Sequence, residues 1–189
     1  KKVGLLKNFE VAEFIDNYTL LYKKNSSDII IHSELALLLA TSGSTGSPKL
    51  VRLSWRNIIS NARSIVEYLN INKDERAIST LPHNYSYGMS VLNSYLFAGA
   101  SVVLTDRTFF DAVFWRLIKK HEVTSMAGVP YSYEILMKLN FERMDLPSLK
   151  TLTQAGGKMS IDLTKRFFEI CKSKNICFYT MYGQTEASP

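Results

Sequence analysis

The run Leu35-Ala36-Leu37-Leu38-Leu39-Ala40 leads directly into Thr41-Ser42-Gly43-Ser44-Thr45-Gly46-Ser47-Pro48-Lys49, and this stretch decides the fold. A short apolar run that ends in a Gly- and Ser-rich segment predicts a buried strand followed by a loop. The glycines let the backbone approach a polyphosphate closely, while hydroxyl and N–H groups donate to phosphate oxygens. A phosphate-binding loop is therefore predicted. A surface turn without a ligand is the alternative, because turns favour the same residue types.

The loop departs from the Walker A motif, which has glycine directly before its lysine and Ser or Thr after it. Here Pro48 precedes Lys49 and Leu50 follows it. Pro48 also removes one N–H group from any phosphate cradle. These departures weaken a P-loop-type phosphotransferase, which stays open as an alternative function.

Further along the chain, short apolar runs alternate with amphipathic segments, and this order predicts an α/β domain with a doubly wound, mostly parallel sheet and flanking helices. Helices are expected after the N-cap residues Ser54, Asp111 and Ser160, and over Met89–Ala98 and Tyr131–Leu139. Met89–Ala98 is apolar nearly all round, as in a buried helix. The predicted strands are Leu35–Ala40, Leu50–Leu53, Ala77–Leu81, Val102–Leu104, Val123–Ala127, Leu149–Thr153 and Ile176–Met181.

Residues 29–189 are assigned to this domain, and residues 1–28 form a leading segment of unknown role. The leading segment has a weak helical pattern through Val11, Phe14, Ile15 and Tyr18. In the domain, polar loops follow predicted strands, so they can converge on the edge where the carboxyl ends of the strands lie. These loops are Thr41–Lys49, Pro82–Gly88, Gly128–Pro130, Gln154–Lys158 and Tyr182–Glu186.

Three of these loops resemble motifs of one enzyme family. Thr41–Lys49 resembles the signature loop of the adenylate-forming superfamily, the AMP-dependent synthetases and ligases, although Leu50 replaces the glycine usual after the lysine. Tyr182-Gly183-Gln184-Thr185-Glu186 resembles its Tyr-Gly-x-Thr-Glu motif, and Leu81–Gly88 is similar to its Leu-Pro-x-x-(His or aromatic)-x-x-Gly motif. The superfamily includes acyl-CoA synthetases, adenylation domains of peptide synthetases, and luciferases. The resemblance runs from Leu35 to Glu186 and corresponds to the central part of the large N-terminal domain.

The resemblance implies a ligase that uses ATP and Mg²⁺ to convert a small carboxylic acid into an acyl-adenylate. Transfer to a thiol would follow, either coenzyme A or the phosphopantetheine of an acyl or peptidyl carrier protein. Thr185 is the implied phosphate contact and Glu186 the implied metal ligand, and both count as catalytic. The implied nucleotide-binding residues are Thr41, Ser42, Gly43, Ser44, Thr45, Gly46, Lys49, Gly156, Gly157, Tyr182, Gly183 and Gln184.

The resemblance also locates the substrate pocket, in whose wall we expect Tyr85, Tyr87, Gly128 and Val129. This wall is expected to be mainly apolar and aromatic. Amino-acid-activating relatives carry an aspartate near the Tyr85 loop, and residues 81–90 contain none. The sequence therefore favours a fatty, aryl or other small acid without a free α-amine. His83 is interpreted as structural, because attack by an ionised carboxylate needs no general base.

Charge, hydropathy and cysteine spacing argue against several other classes of protein. The net charge of +6 is spread along the chain, which argues against nucleic-acid binding. No apolar run approaches the roughly 20 residues that cross a bilayer, and no signal peptide is recognisable. Cys171 and Cys177 fit neither a metal pattern nor a disulfide framework, and a cytoplasmic location is expected.

The chain begins with Lys1 and ends at Pro189, so it is interpreted as cut at both ends. In the family, the principal catalytic lysine belongs to a C-terminal lid domain, which this interpretation leaves outside the chain. The isolated fragment is therefore expected to be inactive. A non-catalytic nucleotide-binding module remains a further alternative.

Overall fold

The computed structural model describes residues 9–15, 18–23, 30–41 and 49–187, and the chain divides into two compact units, Lys1–Ser33 and Glu34–Pro189. In the first unit, strands β1 (Phe9–Ile15) and β2 (Tyr18–Lys23) pair antiparallel. The helix suggested by the apolar pattern of this segment is therefore wrong. A register shift between Val11 and Glu13 explains the error, because a bulge breaks the alternation by which a strand is recognised.

The second unit begins with a β-hairpin. Strand β3 (Leu35–Thr41) pairs antiparallel with β4 (Lys49–Ser54), and Thr41 lies opposite Lys49. Both strands were predicted, but in the described part of the chain they pair with each other and not with the parallel sheet. The segment 41–49 therefore joins two strands of a hairpin, whereas it was expected to follow a strand of the main sheet.

Helix α1 (Trp55–Leu69) follows β4 without a loop. Ser54 caps it: the Ser54 hydroxyl accepts from the Asn57 N–H at 3.2 Å, and Asn57 Oδ1 accepts from the Ser54 N–H at 2.9 Å. This reciprocal pair satisfies two backbone donors that a helix start otherwise leaves without partners. The predicted cap is confirmed.

A parallel sheet of five strands, in the order β6-β5-β7-β8-β9, forms the centre of the described part of this unit. The predicted α/β class with a mostly parallel sheet and flanking helices is confirmed. Asp111 and Ser160 cap their helices as predicted. The strands are β5 (Arg76–Ile78), β6 (Ser101–Val103), β7 (Ser125–Gly128), β8 (Thr151–Gln154) and β9 (Cys177–Thr180). The remaining helices are α2 (Ser86–Phe97), α3 (Ala112–Lys120), α4 (Pro130–Lys138) and α5 (Ile161–Ser173), with 3₁₀ turns at Phe141–Arg143 and Thr185–Ala187.

The two faces of this sheet differ in chemistry. Met126, Leu152 and Phe178 lie side by side in register and pack into a large apolar core with α3, α4 and α5. Because side chains alternate along a strand, their neighbours Ala127 and Thr153 face the other side, towards α1 and α2. A smaller apolar cluster fills part of this second side, and the rest remains open as a cleft.

Within the described residues, no helix combines the length and the apolar character that crossing a membrane requires.

Candidate active site

The candidate site lies where the direction of the strand order reverses. From β5 the chain first moves outward to β6 and then returns to β7 on the other side of β5. In open α/β sheets, this reversal leaves a crevice at the carboxyl ends of the strands, where ligands bind. The segments after β5, β7, β8 and β9 all begin at this edge, as the sequence predicted.

The segment after β5 is tightly turned. A Cβ atom on Gly88 would overlap the carbonyl oxygen of Pro82, so only glycine fits where the chain enters α2. The turn holds Tyr85 at the N-cap of α2. It directs the Tyr85 phenol towards the segment that follows β8.

Gly156 receives that phenol. Its φ angle of +76° is accessible chiefly to glycine, and a Cβ atom there would overlap the Tyr85 hydroxyl. The next residue, Gly157, lies beside the ring of Pro130, which a Cβ atom would approach to 3.3 Å. The two glycines therefore keep the turn after β8 thin where the segments after β5 and β7 come closest to it.

The segment after β9 joins the same site. Thr185, in the 3₁₀ turn Thr185–Ala187, donates from its hydroxyl to the Ser86 hydroxyl at 3.4 Å. Strand β4 also contacts this turn. Glu186 is exposed in the turn. The segments after β5, β8 and β9 thus meet at one edge of the sheet.

Glu186 is the predicted carboxylate ligand of Mg²⁺. Among the described residues, no group of three or more His, Cys, Asp or Glu side chains could hold a metal ion by itself. Mg²⁺ commonly binds through one or two carboxylates together with substrate phosphates and water. A single exposed carboxylate beside a predicted phosphate site fits that mode of binding, and it does not fit a metal cage built by the protein alone.

Two of the cavities in the described part of the chain open at this edge. The first has a volume of about 170 Å³ and lies between the sheet and helices α1 and α2. Its lining residues are Asn61, Ser64, Ile65, Tyr68, Leu69, Tyr85, Ser86, Tyr87, Ser90, Val91, Ser94, Tyr95, Ser125, Ala127, Thr153, Ala155, Gly156, Met181, Tyr182 and Gly183.

The wall of the first cavity contains more hydroxyl groups than the sequence suggested. The buried side of α2 presents serines and tyrosines, while Leu96 and Phe97 on the same helix are exposed. The helix expected to bury apolar residues all round therefore faces the cavity with polar groups. Tyr85 and Tyr87 line this cavity, whereas Gly128 and Val129 are not among its lining residues.

Hydrogen bonds fix several of these hydroxyls. Tyr87 Oη lies 2.7 Å from Thr153 Oγ1. Burial raises the pKa of Tyr87 well above its usual range, partly opposed by hydrogen bonds from Thr153 and the Gly128 backbone. Burial likewise raises the pKa of Tyr95 to about 12, partly opposed by a hydrogen bond with the Ser125 hydroxyl. Both phenols are therefore neutral at physiological pH.

The second cavity, of about 580 Å³, lies on the other side of the turn after β8. It shares Gly156, Met181, Tyr182 and Gly183 with the first cavity. Tyr182 is 88% exposed, so its ring is available to a ligand. The two cavities thus meet at a common wall. The lining residues of the second are Gln154, Gly156, Gly157, Lys158, Met159, Thr164, Thr180, Met181, Tyr182 and Gly183.

The centre of the predicted phosphate loop falls outside the described residues, which stop at Thr41 and resume at Lys49. The nucleotide-binding roles assigned to Ser42, Gly43, Ser44, Thr45 and Gly46 therefore stay predictions. His83 lines a separate cavity with Arg107 and Tyr131, away from the common wall. Gln184 lies in the described segment before the 3₁₀ turn and is exposed.

Sequence reasoning missed the serines of α2 and the hydroxyls of the strands beneath them. A signal was available, because Ser86, Ser90 and Ser94 recur every four residues and so lie on one face of a helix. The contributions of Ser125 and Thr153 had no such signal. They depend on which face of the sheet each strand residue occupies.

The sequence pattern of the family described as AMP-binding enzyme matches residues 6–189. A feruloyl-CoA synthase from Amycolatopsis sp. is 31% identical over 159 residues, which is 82% of this chain and 31% of that protein. A 2-succinylbenzoate–CoA ligase from Staphylococcus aureus is 28% identical over 188 residues, covering 97% of this chain and 37% of the relative.

Among solved structures, an o-succinylbenzoate coenzyme A synthetase from Bacillus subtilis, in complex with ATP and magnesium ion, superposes with a TM-score of 0.70 at 28% identity. The match covers 88% of this chain and 35% of that one. The chain therefore spans about a third of the length of the relatives it matches.

Proposed function

Because the chain belongs to the AMP-binding enzyme family, we propose that it carries the nucleotide- and acid-binding part of an enzyme that activates a carboxylic acid as its acyl-adenylate. The observation that carries this proposal is the common wall between the two cavities, formed by Gly156, Met181, Tyr182 and Gly183. An acyl-adenylate has an acyl group on one side of its phosphate and a nucleoside on the other. Two adjoining cavities suit such a molecule.

We assign the nucleoside to the larger cavity and the acyl group to the smaller. Gly156 and Gly157 leave the backbone open to a flat base, and the exposed ring of Tyr182 can stack on it. The turn that carries Thr185 and Glu186 follows Tyr182 and Gly183 in the chain and contacts β4. The polyphosphate of ATP would then extend towards the segment 41–49, whose hydroxyls and Lys49 donate to its oxygens.

The proposed step joins a carboxylate oxygen of the acid to the α-phosphorus of ATP. The bond from that phosphorus to the oxygen bridging to the β-phosphate breaks, and pyrophosphate leaves with the electron pair. The attacking carboxylate is already ionised, so the residues of the site have no proton to remove. Their work is to align the two reactants and to donate hydrogen bonds to phosphate oxygens. Mg²⁺ at Glu186, when bound, would neutralise charge on the phosphates.

We further propose that coenzyme A accepts the acyl group, since two of the similar proteins are named as a feruloyl-CoA synthase and a 2-succinylbenzoate–CoA ligase. A carrier-protein phosphopantetheine is the alternative acceptor. Assay of both thiols with the adenylate formed in place would decide between them. The requirement for ATP and CoA supports a cytoplasmic location.

Acid-dependent exchange of labelled pyrophosphate into ATP, measured with the full-length protein across a panel of acids, tests the proposal. Exchange that requires both an acid and Mg²⁺ is expected. Binding of ATP without exchange for any acid would instead indicate a non-catalytic nucleotide-binding module. Turnover of ATP that is independent of acids and lost on replacing Lys49 would indicate a P-loop-type phosphotransferase.

The role proposed for Glu186 gives a sharper test. Glu186→Gln keeps the shape of the side chain but removes the charge, so we expect exchange to fall by about tenfold or more and to require more Mg²⁺. Glu169→Gln is the matched control, because Glu169 is an exposed carboxylate on α5. If both variants show the same Mg²⁺ dependence as the unaltered protein, Glu186 does not hold the metal.

A further inference from the structure

The first cavity extends from the carboxyl edge of the sheet inwards to the beginning of strand β7. Its lining runs from Gly156 and Gly183, at the carboxyl edge of the sheet, down to Ser125, the first residue of β7. Ser125 to Gly128 spans roughly 10 Å at about 3.3 Å per strand residue. Helix α2 begins at that edge with Ser86, and its buried Ser94 and Tyr95 lie two turns further along. The cavity is therefore a slot that is open at the common wall.

The two sides of the slot are close together. On the sheet side, the lining residues include Ala127 and Ala155, both buried and both small, so this side is nearly flat. Tyr87 of α2 packs directly against these two alanines, and Tyr68 of α1 also lines the cavity. The volume of about 170 Å³ is close to that of a cavity of roughly 150 Å³ that holds one benzene molecule. A single planar ring fits this space better than a long flexible chain.

The inner end of the slot offers hydrogen-bond acceptors. The Ser90 hydroxyl donates to the Tyr87 carbonyl oxygen at 2.8 Å, and the Ser94 hydroxyl donates to the Val91 carbonyl oxygen at 3.2 Å. Each serine has one hydroxyl proton, and both protons are committed to the helix backbone. The oxygen lone pairs that remain can accept a hydrogen bond from a ligand but cannot supply one.

The slot also lacks charge. Of the described residues that line it, none carries a charged side chain. A second carboxylate at its inner end would meet no positively charged lining residue, and an ammonium group would lose its water without gaining a counter-ion. An uncharged donor, such as a hydroxyl group, is the polar substituent that this lining accommodates.

We propose that the first cavity binds a planar aryl acid bearing an uncharged hydroxyl group opposite its carboxylate. In this arrangement, the carboxylate stands at the common wall and the ring lies in the slot. The single hydroxyl proton is donated to the oxygen of Ser90 or to that of Ser94. The inference rests on the proposed function in one respect, namely that the carboxylate is the group presented to the nucleotide.

A matched series of acids tests the inference on the full-length protein. Benzoate, 4-hydroxybenzoate, 1,4-benzenedicarboxylate, 4-(aminomethyl)benzoate and decanoate differ in the group at the inner end or in the shape of the chain. Binding is measured by calorimetry without nucleotide, and pyrophosphate exchange is measured separately. We expect 4-hydroxybenzoate to bind about tenfold more tightly than benzoate, as one added hydrogen bond allows, and the other three acids to bind more weakly than benzoate.

Variants of α2 test whether Ser90 and Ser94 cause the preference for 4-hydroxybenzoate over benzoate. In the double variant Ser90→Ala/Ser94→Ala, the ratio of affinities for 4-hydroxybenzoate and benzoate is expected to fall to about one, with benzoate binding little changed. Ser173→Ala is the control, because the Ser173 hydroxyl makes the same kind of bond to the Ile170 carbonyl oxygen, at 2.8 Å, on α5. It should keep the tenfold ratio. If loss of a helix serine lowered the affinity ratio only by destabilising the protein, Ser173→Ala would lower that ratio as the double variant does.

The outcomes separate this inference from the proposed function. Equal affinity for benzoate and 4-hydroxybenzoate, or tighter binding of decanoate, overturns the inference even if exchange occurs with some acid. A tenfold preference that the double variant abolishes supports the inference even if no acid gives exchange, in which case adenylation is the idea that fails. A preference that survives in the double variant also overturns the inference, because the hydroxyl must then bind elsewhere.

Discussion

Gly156 and Tyr85 form the closest contact between two of the site segments. The glycine has a φ angle of +76°, and the Tyr85 hydroxyl occupies the space that a Cβ atom would need. At the scale of single residues, the site therefore depends on the absence of one methyl group. Replacement of Gly156 by alanine introduces backbone strain and a steric overlap together.

We expect Gly156→Ala to lower the free energy of unfolding by about 1–3 kcal/mol, measured by urea denaturation. Adding Tyr85→Phe removes the overlapping hydroxyl, so the double variant should recover the part that is due to overlap and keep the part that is due to backbone strain. Gly157→Ala is the control, since its Cβ atom would lie 3.3 Å from the Pro130 ring. If Gly156→Ala is no more harmful than Gly157→Ala, the positive φ angle imposes no strain.

At the scale of elements, Ser54 has two roles. It is the last residue of β4 and the N-cap of α1, so one side chain joins the hairpin that carries the predicted phosphate loop to a helix that lines the first cavity. Strand β4 in turn contacts the Thr185–Ala187 turn. A change at this cap should therefore affect the proposed nucleotide site as well as the helix.

Ser54→Ala should lower the free energy of unfolding by about 1 kcal/mol, the usual effect of losing a helix cap, and raise the KM for ATP in the exchange assay. Ser160→Ala removes a comparable cap on α5, where the Ser160 hydroxyl accepts from the Leu163 N–H at 3.3 Å. That variant should lose similar stability with an unchanged KM. Equal effects of the two variants on KM would show that the cap acts through stability alone.

The features that were predicted correctly from the sequence are those that depend only on residues close together in the chain. Ser54, Asp111 and Ser160 were identified as caps because a cap depends on residues within one turn of it. The elements it missed depend on partners that are not visible locally. A bulge after Val11 gave β1 a helix-like spacing, and the hydrophobic run of β3 did not reveal whether its partner would be β4 or the parallel sheet.

At the scale of the whole molecule, most of the apolar core lies on the side of the sheet away from the site. Phe167 is fully buried there, with its ring 4.8 Å from that of Tyr133 and 6.0 Å from those of Phe141 and Phe178. Phe168, its neighbour on α5, is 55% exposed. Alanine substitutions at these two positions therefore allow a comparison of how much the core contributes to the free energy of unfolding.

Phe167→Ala should lower the free energy of unfolding by about 3–5 kcal/mol, because it leaves a cavity among aromatic rings. Phe168→Ala should change it by less than about 0.5 kcal/mol. Urea denaturation of both variants provides the comparison. Similar losses from the two substitutions would mean that the core on this side is not the main source of stability.

The position of the site could also be predicted from sequence, since loops that follow parallel strands must meet at one edge. The lining of its smaller cavity could not be predicted. Thr153 and Leu152 are adjacent in the chain but lie on opposite faces of β8, and which face meets the cleft is decided by how the neighbouring helices pack. Ser94 reaches the cavity only because α2 is antiparallel to the strands beside it.

The alternation along β7 and β8 has a consequence for how such a protein can change over generations. Met126 and Leu152 support the fold, while Ala127 and Thr153, one position along each strand, face the first cavity. Inherited substitutions that alter which acid fits can therefore accumulate on one face of the sheet without disturbing the packing on the other. A lineage built on this sheet can diversify its chemistry through a few positions and keep the same scaffold.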